Sequence, residues 1–235
     1  MFSMTAPRRL SNGTLGDWIN ERLLDHTAPG VRVGSVVPTG FARVVRVLHP
    51  AGGGHSWADV AETNGRVVHP LVQWRSIAPD FDGSGRSSDV DPEEGSAPAT
   101  TLNAILEHCP ADGDGDVTYG VWDGWGLWTH SYDKSALMPG WGGRSYRLFA
   151  WSKSSVTQWP GMDGSWPQSA NLILPKDRSW CIATEIDWDS TLVACSDDVA
   201  AALLADERLE AFEVRYDDDL SWYGDTLNPR PEWLR

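Results

Sequence analysis

The chain has 235 residues, 41% hydrophobic and 22% charged, with a formal net charge of −14. That length buries a substantial core, and one domain spanning 1–235 is expected. The negative surface potential repels phosphate backbones and anionic lipids and steers basic partners inward, which argues against direct nucleic-acid binding and against membrane attachment.

A nucleic-acid mimic that occupies a basic protein stays open, although acidity for solubility explains the same charge. The opening text MFSMTAPRRL lacks the apolar run of about 7–15 residues that a secretory signal needs, and no stretch approaches the ~20 apolar residues of a membrane span. A soluble cytoplasmic protein is expected. Cys109, Cys181 and Cys195 are odd in number and form no C-x-x-C pair, which suits buried reduced thiols.

In chain order, TLGDWINERLLD places Thr14 and Asp17 at the spacing of a helix-start box, with Leu15, Trp18, Ile19 and Leu23 on one helical face. The β-branched runs on either side of Pro38-Thr39-Gly40 predict an antiparallel hairpin ended by Pro50. Ser56 and Asp59 then cap a short helix with Trp57, Val60 and Ala61 inward and Asn64-Gly65 as the stop. Residues 79–99 are rich in Gly, Ser, Pro and acid, with too little apolar surface to offset the entropy of ordering, and predict a flexible acidic loop within the domain.

TLNAILEHC predicts another helix, VTYGVWDGWG a strand in which Val117, Tyr119 and Val121 alternate, and SYRLFAWS a further strand. Residues 153–171 read as loop, punctuated by Pro160, Gly161, Gly164 and Pro167. SWCIATEID and STLVACS predict strands around a turn, 197–205 a helix capped by Ser196, and EAFEVRY a last strand. The order implies an α+β fold: a mainly antiparallel sheet with three to four short helices.

The first chemical constellation is Glu185 and Asp187 in ATEIDWD. On a strand they share a face about 6.5–7 Å apart, between the roughly 5–5.5 Å of retaining glycosidases and the 6.5–9.5 Å of inverting ones. An acid/base pair fits that spacing. The wet face of a half-exposed antiparallel sheet produces the same alternation, and that reading is preferred.

In DGDGDVTYGVWD, Asp112, Asp114, Asp116 and Asp123 occupy the first, third, fifth and twelfth places of a calcium loop. The match fails at the sixth place, where Val117 stands instead of glycine, so a solvated turn is preferred. His49, His55 and His69 make no recognised zinc set, and neither a G-K-[ST] nor a G-x-S-x-G motif occurs. No cofactor is implied.

Fourteen tryptophans exceed what an ordinary core requires, and many sit in turns. Most pin loops to the core; Trp122, Trp125, Trp128 and Trp141 are the ones expected to line a ligand pocket.

The segment PKDRSWCIATEIDWDSTLVACSDDVAAALLADERLEAFEV resembles a family of uncharacterised actinobacterial proteins that share a W-C-[VI]-A-T-E-[IV]-D strand followed by a turn and a short helix ending in R-L-E-A. GSVVPTGFARVVRVLHPA, SWADVAE and HPLVQW look similar to the same family, so the likeness covers most of the chain. Ala194-Cys195 replaces the family's usual glycine pair, and residues 79–99 and 153–171 have no counterpart. The family carries no assigned activity, so the resemblance implies a fold alone. A looser likeness of composition links the chain to acidic, tryptophan-rich bacterial immunity proteins of the α+β kind.

Two functions follow from these features. The first is binding of a basic partner protein through an acidic, aromatic surface, of the immunity or regulatory type. The alternative is an enzyme or binder for a small polar ligand such as a carbohydrate, using a tryptophan-lined pocket and the Glu185–Asp187 carboxylates. A concave site flanked by tryptophans and carboxylates favours the second, and a flat acidic patch the first.

Overall fold

Alternating apolar residues along the chain assemble into a single antiparallel sheet of nine strands. The computed structural model describes residues 7–24, 32–78, 90–110, 115–125, 137–139, 144–158 and 168–230. The strands are β1 (Arg8–Arg9), β2 (Arg43–Leu48), β3 (Asp116–Trp122), β4 (Leu137–Pro139), β5 (Ser145–Ser152), β6 (Leu172–Pro175), β7 (Cys181–Thr184), β8 (Ser190–Cys195) and β9 (Ala211–Val214). Their order is β1-β5-β3-β6-β7-β8-β2-β9, with β4 also pairing β5. The helices are α1 (Asp17–Asn20), α2 (Trp57–Thr63), α3 (Trp74–Ile77), α4 (Ala99–His108) and α5 (Asp197–Leu204). The α+β class expected from the sequence is the one observed, and no described helix is long and apolar enough to cross a membrane.

Both faces of the central strands are covered. On one face Val45, Val47, Val117, Tyr119, Ile173, Ile182 and Val193 pack beneath α4 and α5. On the other, Val44, Leu148, Leu172, Ala183, Leu192 and Ala194 pack beneath Trp18, Ile19, Val33, Val36 and Val37. A third cluster on that second face joins Leu48 to Trp57, Trp74 and Ile77 of the α2–α3 pair. The wet face expected for the 181–187 region is therefore absent: β7 is buried at all four positions and stops at Thr184, leaving Glu185 and Asp187 in the following turn.

Capping chemistry explains the elements that match expectation. The Ser56 hydroxyl accepts from Asp59 N at 3.0 Å while Asp59 accepts from Ser56 N at 3.1 Å, and Gly65 follows the helix with φ +63°. Ser196 accepts from Val199 N to open α5. The first helix is shorter than its pattern suggests: Asn12, rather than Thr14, is the capping side chain, and a 3-10 turn over Gly13–Gly16 precedes α1.

The predicted hairpin around Pro38 is half present. Residues 43–48 form β2, but Val33–Ser35 is a 3-10 turn. Its backbone is tied to the C-terminal segment instead, through Val33 N to Asp218 O and Gly34 N to Tyr216 O. A Cβ on Gly34 would stand 3.0 Å from Tyr216 O and would displace the exposed Leu24 side chain, so the site is tight. Of the predicted 79–99 loop, 79–89 lie outside the described residues, while Ser96 and Ala97 are buried ahead of α4. Cys109, Cys181 and Cys195 are all free and buried, and burial pushes the Cys109 and Cys195 thiols up to about 12.

One buried titratable group links the sheet to the 90–98 segment. His49 is fully buried, with Nδ1 2.6 Å from Glu93 O and Nε2 2.9 Å from Thr191 Oγ1. A carbonyl only accepts, so Nδ1 carries the proton and Nε2 accepts from the Thr191 hydroxyl. Thr191 in turn accepts from Thr184 Oγ1 at 2.8 Å. Burial, with Arg46 adding to it and the Glu93 carbonyl opposing it, pushes His49 down to about 4.

Between that value and the ordinary 6.5 the unfolded chain holds a proton that the folded chain does not. Stability is therefore intact above about pH 6.5 and falls by about 3 kcal/mol as the pH drops to about 4. Urea unfolding across that window should show this decline in the native chain and a flatter one in His49→Gln; equal slopes would contradict it.

Candidate functional site

The site is built around the 185–189 turn and the strand end opposite it. Ile186 O lies so near Gly95, which has φ +75°, that a Cβ there would meet it at 2.3 Å. Glycine alone allows that approach, and Gly95 N donates to Trp188 O at 2.8 Å. His49 N donates to Asp189 O at 2.9 Å, extending the β2–β8 register by one position. Two segments thus fix the backbone of the turn, and its side chains take up defined places.

Arg46 stands at the centre. It occupies the β2 position between Val44 and Leu48, on the face that carries two of the apolar clusters, and is only 2% exposed. Its Nε donates to Ser190 Oγ at 3.0 Å, and Nη1 donates to Pro70 O at 3.0 Å and Val72 O at 2.8 Å. Nη2 faces Asp189 Oδ1 at 3.6 Å, an ion pair longer than a hydrogen bond. Burial pulls the Arg46 pKa down, and the Asp189 and Asp225 carboxylates oppose it. Asp189 is pushed up by burial and held back by Arg46.

Beside this pair lies a cavity of about 180 Å³, lined by Arg46, Gln73, Glu94, Asp187, Trp188, Asp189, Leu220, Ser221 and Trp222. Glu94 stands at its edge; partial desolvation pushes its carboxyl up, and the Asp189, Asp91 and Asp187 charges add to this while Arg75 opposes it. Behind the lining residue Gln73, Asp225 joins the 67–73 loop to the C-terminal segment. It accepts from Gln73 N, Asn228 N and Asn228 Nδ2, and lies 2.8 Å from His69 Nε2. Burial alone would raise Asp225, but the Asn228 and His69 hydrogen bonds hold it below the ordinary carboxylate range.

The residues singled out from the sequence partly converge here. Arg144 pairs with Glu185 and, at 2.9 Å, with Asp187, while its guanidinium lies 5.8 Å from the Trp122 ring centroid. Trp125 meets Trp122 edge to face at 5.2 Å. Asn171 Oδ1 accepts from Trp122 N and Trp125 Nε1, and Asn171 Nδ2 donates to Gly95 O and Thr184 O, binding these tryptophans to the turn. Carboxylates and tryptophans are thus neighbours, bridged by one arginine.

Their roles nevertheless differ from the sequence expectation. Glu185 is 2% exposed, and its Oε2 accepts from Asp187 N at 2.7 Å. Burial pushes Glu185 up, against the Asp187 amide and Arg144. Sealed in this way, Glu185 ties Arg144 and the Asp187 amide together and fixes the turn. Asp187 is the one of the two that lines the cavity.

Asp116 opens β3 and Asp123 follows its last residue, Trp122, so the length of the strand, roughly 20 Å at about 3.4 Å per residue, separates them. They cannot share one calcium ion, and Asp123 pairs with Arg147. Asp112, Asp114, Trp128 and Trp141 lie outside the described residues. Among the described residues no group of three or more His, Cys, Asp or Glu is arranged to hold a metal ion.

Arg46, Arg144, Glu94 and Trp222 escaped the sequence reading. Only Arg46 left a signal there: a charge inside the otherwise apolar run VVRVL. No protein-family model, curated protein or solved structure matches the chain.

Removing one member of a buried pair strands the other. Arg46→Met should lower the unfolding free energy by about 3–5 kcal/mol, and adding Asp189→Asn should recover part of that loss. Denaturant titration of both variants measures it, and a single variant within about 1 kcal/mol of the native chain would refute the pair's structural role.

Proposed function

We propose that the protein binds a small polar ligand, rich in hydrogen-bond donors, in the cavity between the 185–189 turn and residues 220–222. The observation that carries this is the lining: the carboxylates of Glu94, Asp187 and Asp189 stand around a concavity that Trp188 and Trp222 also line. Carboxylates accept from hydroxyl or amine groups, and indole surfaces cover the apolar faces of a ring. At about 180 Å³ the cavity is smaller than the ~300–1,000 Å³ of drug-sized sites, which limits the ligand to about one ring.

Binding is favoured over hydrolysis by the state of Glu185 and Asp187. Glu185 is closed off, and both it and Asp187 are held by Arg144. Acid/base work needs a group within hydrogen-bond reach of the reacting atoms.

The partner-protein reading has its own support in the same region. Trp222, Tyr223 and Leu227 are 39%, 55% and 65% exposed, close in sequence to Asp217, Asp218 and Asp219. That surface suits a basic partner with an apolar anchor. Trp222 belongs to both readings, whereas Asp187 belongs to the cavity.

Titration with a panel of monosaccharides and small polyols, followed by tryptophan fluorescence and melting temperature, tests the ligand reading. At least one should bind, and Asp187→Asn and Trp222→Ala should each weaken it by about tenfold, or about 1.4 kcal/mol, with the fold retained. A panel without any binder would count against the cavity as a ligand site. Loss in Trp222→Ala but not in Asp187→Asn would shift the site outward, to the exposed aromatic surface.

A further inference from the structure

We infer that the outer edge of β9 seats a symmetric dimer, in which β9 of a second copy of the chain adds antiparallel across a twofold axis at Phe212. This surface is distinct from the ligand cavity and does not depend on it.

The hydrogen-bond phase of the sheet decides which backbone groups are open. β9 ends the strand order, and among the described strands it pairs with β2 alone. Leu48 N donates to Glu210 O at 2.9 Å, while the next residue, His49, sends its N–H the other way, to Asp189 O. Carried along the register Arg46↔Phe212 and Val44↔Val214, that alternation turns the N–H and C=O of Phe212 and Val214 to β2 and those of Ala211 and Glu213 outward. Among the described residues nothing bonds to these outward groups. On either side the edge is already closed: Leu209 N donates to Asp206 O, Arg215 N donates to Asp218 Oδ2, and Asp218 N donates to Arg215 O. The open window is Ala211 and Glu213, centred on Phe212.

That window is complementary to itself. A twofold at Phe212 sets Ala211 opposite Glu213 of the second copy and Glu213 opposite its Ala211, each pair exchanging both N–H and C=O. Phe212, partly buried against the α2–α3 cluster, then faces its own copy at the closer, non-bonded position, where an aromatic pair is favourable. No like charges stand directly opposite, and Arg43 of the same chain neutralises Glu213. Glu213 and Arg215 line an open groove of about 570 Å³ with Leu71 and Leu227, so the edge is not walled off on that side.

The opposite edge is guarded. There β1 exposes Arg8 and Arg9, and β4 closes with Pro139; charge and proline both oppose strand addition. An extended peptide from another protein makes the same backbone bonds at β9, but it loses conformational freedom on binding. The β9 strand of a second copy is already held extended by β2.

Sedimentation equilibrium and amide hydrogen exchange of the full chain test the pairing from about 10 μM to about 1 mM, since an interface of one strand pair is small and dissociates readily. Dimer should accumulate with concentration, and added salt should strengthen it because each copy carries −14. As it forms, exchange at the Ala211 and Glu213 amides should slow by about tenfold, while Phe212 and Val214, bonded to β2, keep their rates. Glu213→Pro removes one outward donor without touching the β2 ladder and should abolish the dimer. Glu213→Ala, which keeps that donor and loses the Arg43 pair, should retain it.

A monomer throughout the range overturns the proposal, including one whose Ala211 and Glu213 amides are protected by an added basic peptide instead. A dimer in which those two amides exchange at the monomer's rate also overturns it, by placing the contact elsewhere. That exchange pattern is read on the native chain, so it decides the question even if Glu213→Pro fails to fold.

Discussion

A guanidinium buried inside a β-sheet protein sets the terms for the rest of this structure. Arg46 lies between two apolar clusters on one sheet face, where a leucine would satisfy the hydrophobic pattern. Burying its charge carries a penalty of several kcal/mol, returned only if every donor finds a good acceptor. The acceptors come from three places: the 70–72 loop, Ser190 at the start of β8, and Asp189 in the turn. The charge therefore gathers segments that the sheet alone would leave apart, and the cavity forms where they meet.

Covering both sheet faces has a second effect. With the central strands dry on both sides, charged residues are displaced to turns and strand ends, and there they come together. Glu185, Asp187 and Asp189 sit in one turn, with Arg144 at the entry to β5 and Arg46 in β2 answering them. Asn171 and Gly95 lock that turn to β3 and to the segment before α4. The three carboxylates thus divide the work: one is sealed and structural, one lines the cavity beside an arginine, and one completes the buried pair.

Much of this fold is legible in the sequence where a period and a stop coincide. The capping serines Ser56 and Ser196, the alternation of Val117, Tyr119 and Val121, and the periodicity of TLNAILEHC each specify an element that forms at or near its predicted place. LILP is missed because a strand buried on both faces has no alternation, and the two arginines of β1 carry no strand signal at all. The GSVV run misleads for a different reason: β-branched residues suit a strand, but backbone bonds to the 216–218 segment hold this run in a 3-10 turn.

The site was half visible. Trp122, Trp125, Glu185 and Asp187 do come together, yet the arginine that joins them is 22 residues from the first and 41 from the third, a proximity created by tertiary pairing alone. The most direct probe of the central claim is amide hydrogen exchange on the native chain and Arg46→Lys, since lysine keeps the charge but cannot reach Ser190 and both carbonyls at once. Protection should fall together at residues 70–73 and 186–190 while β3 and β5 keep theirs. If the two segments loosen independently, or neither does, Arg46 is not what holds the cavity together.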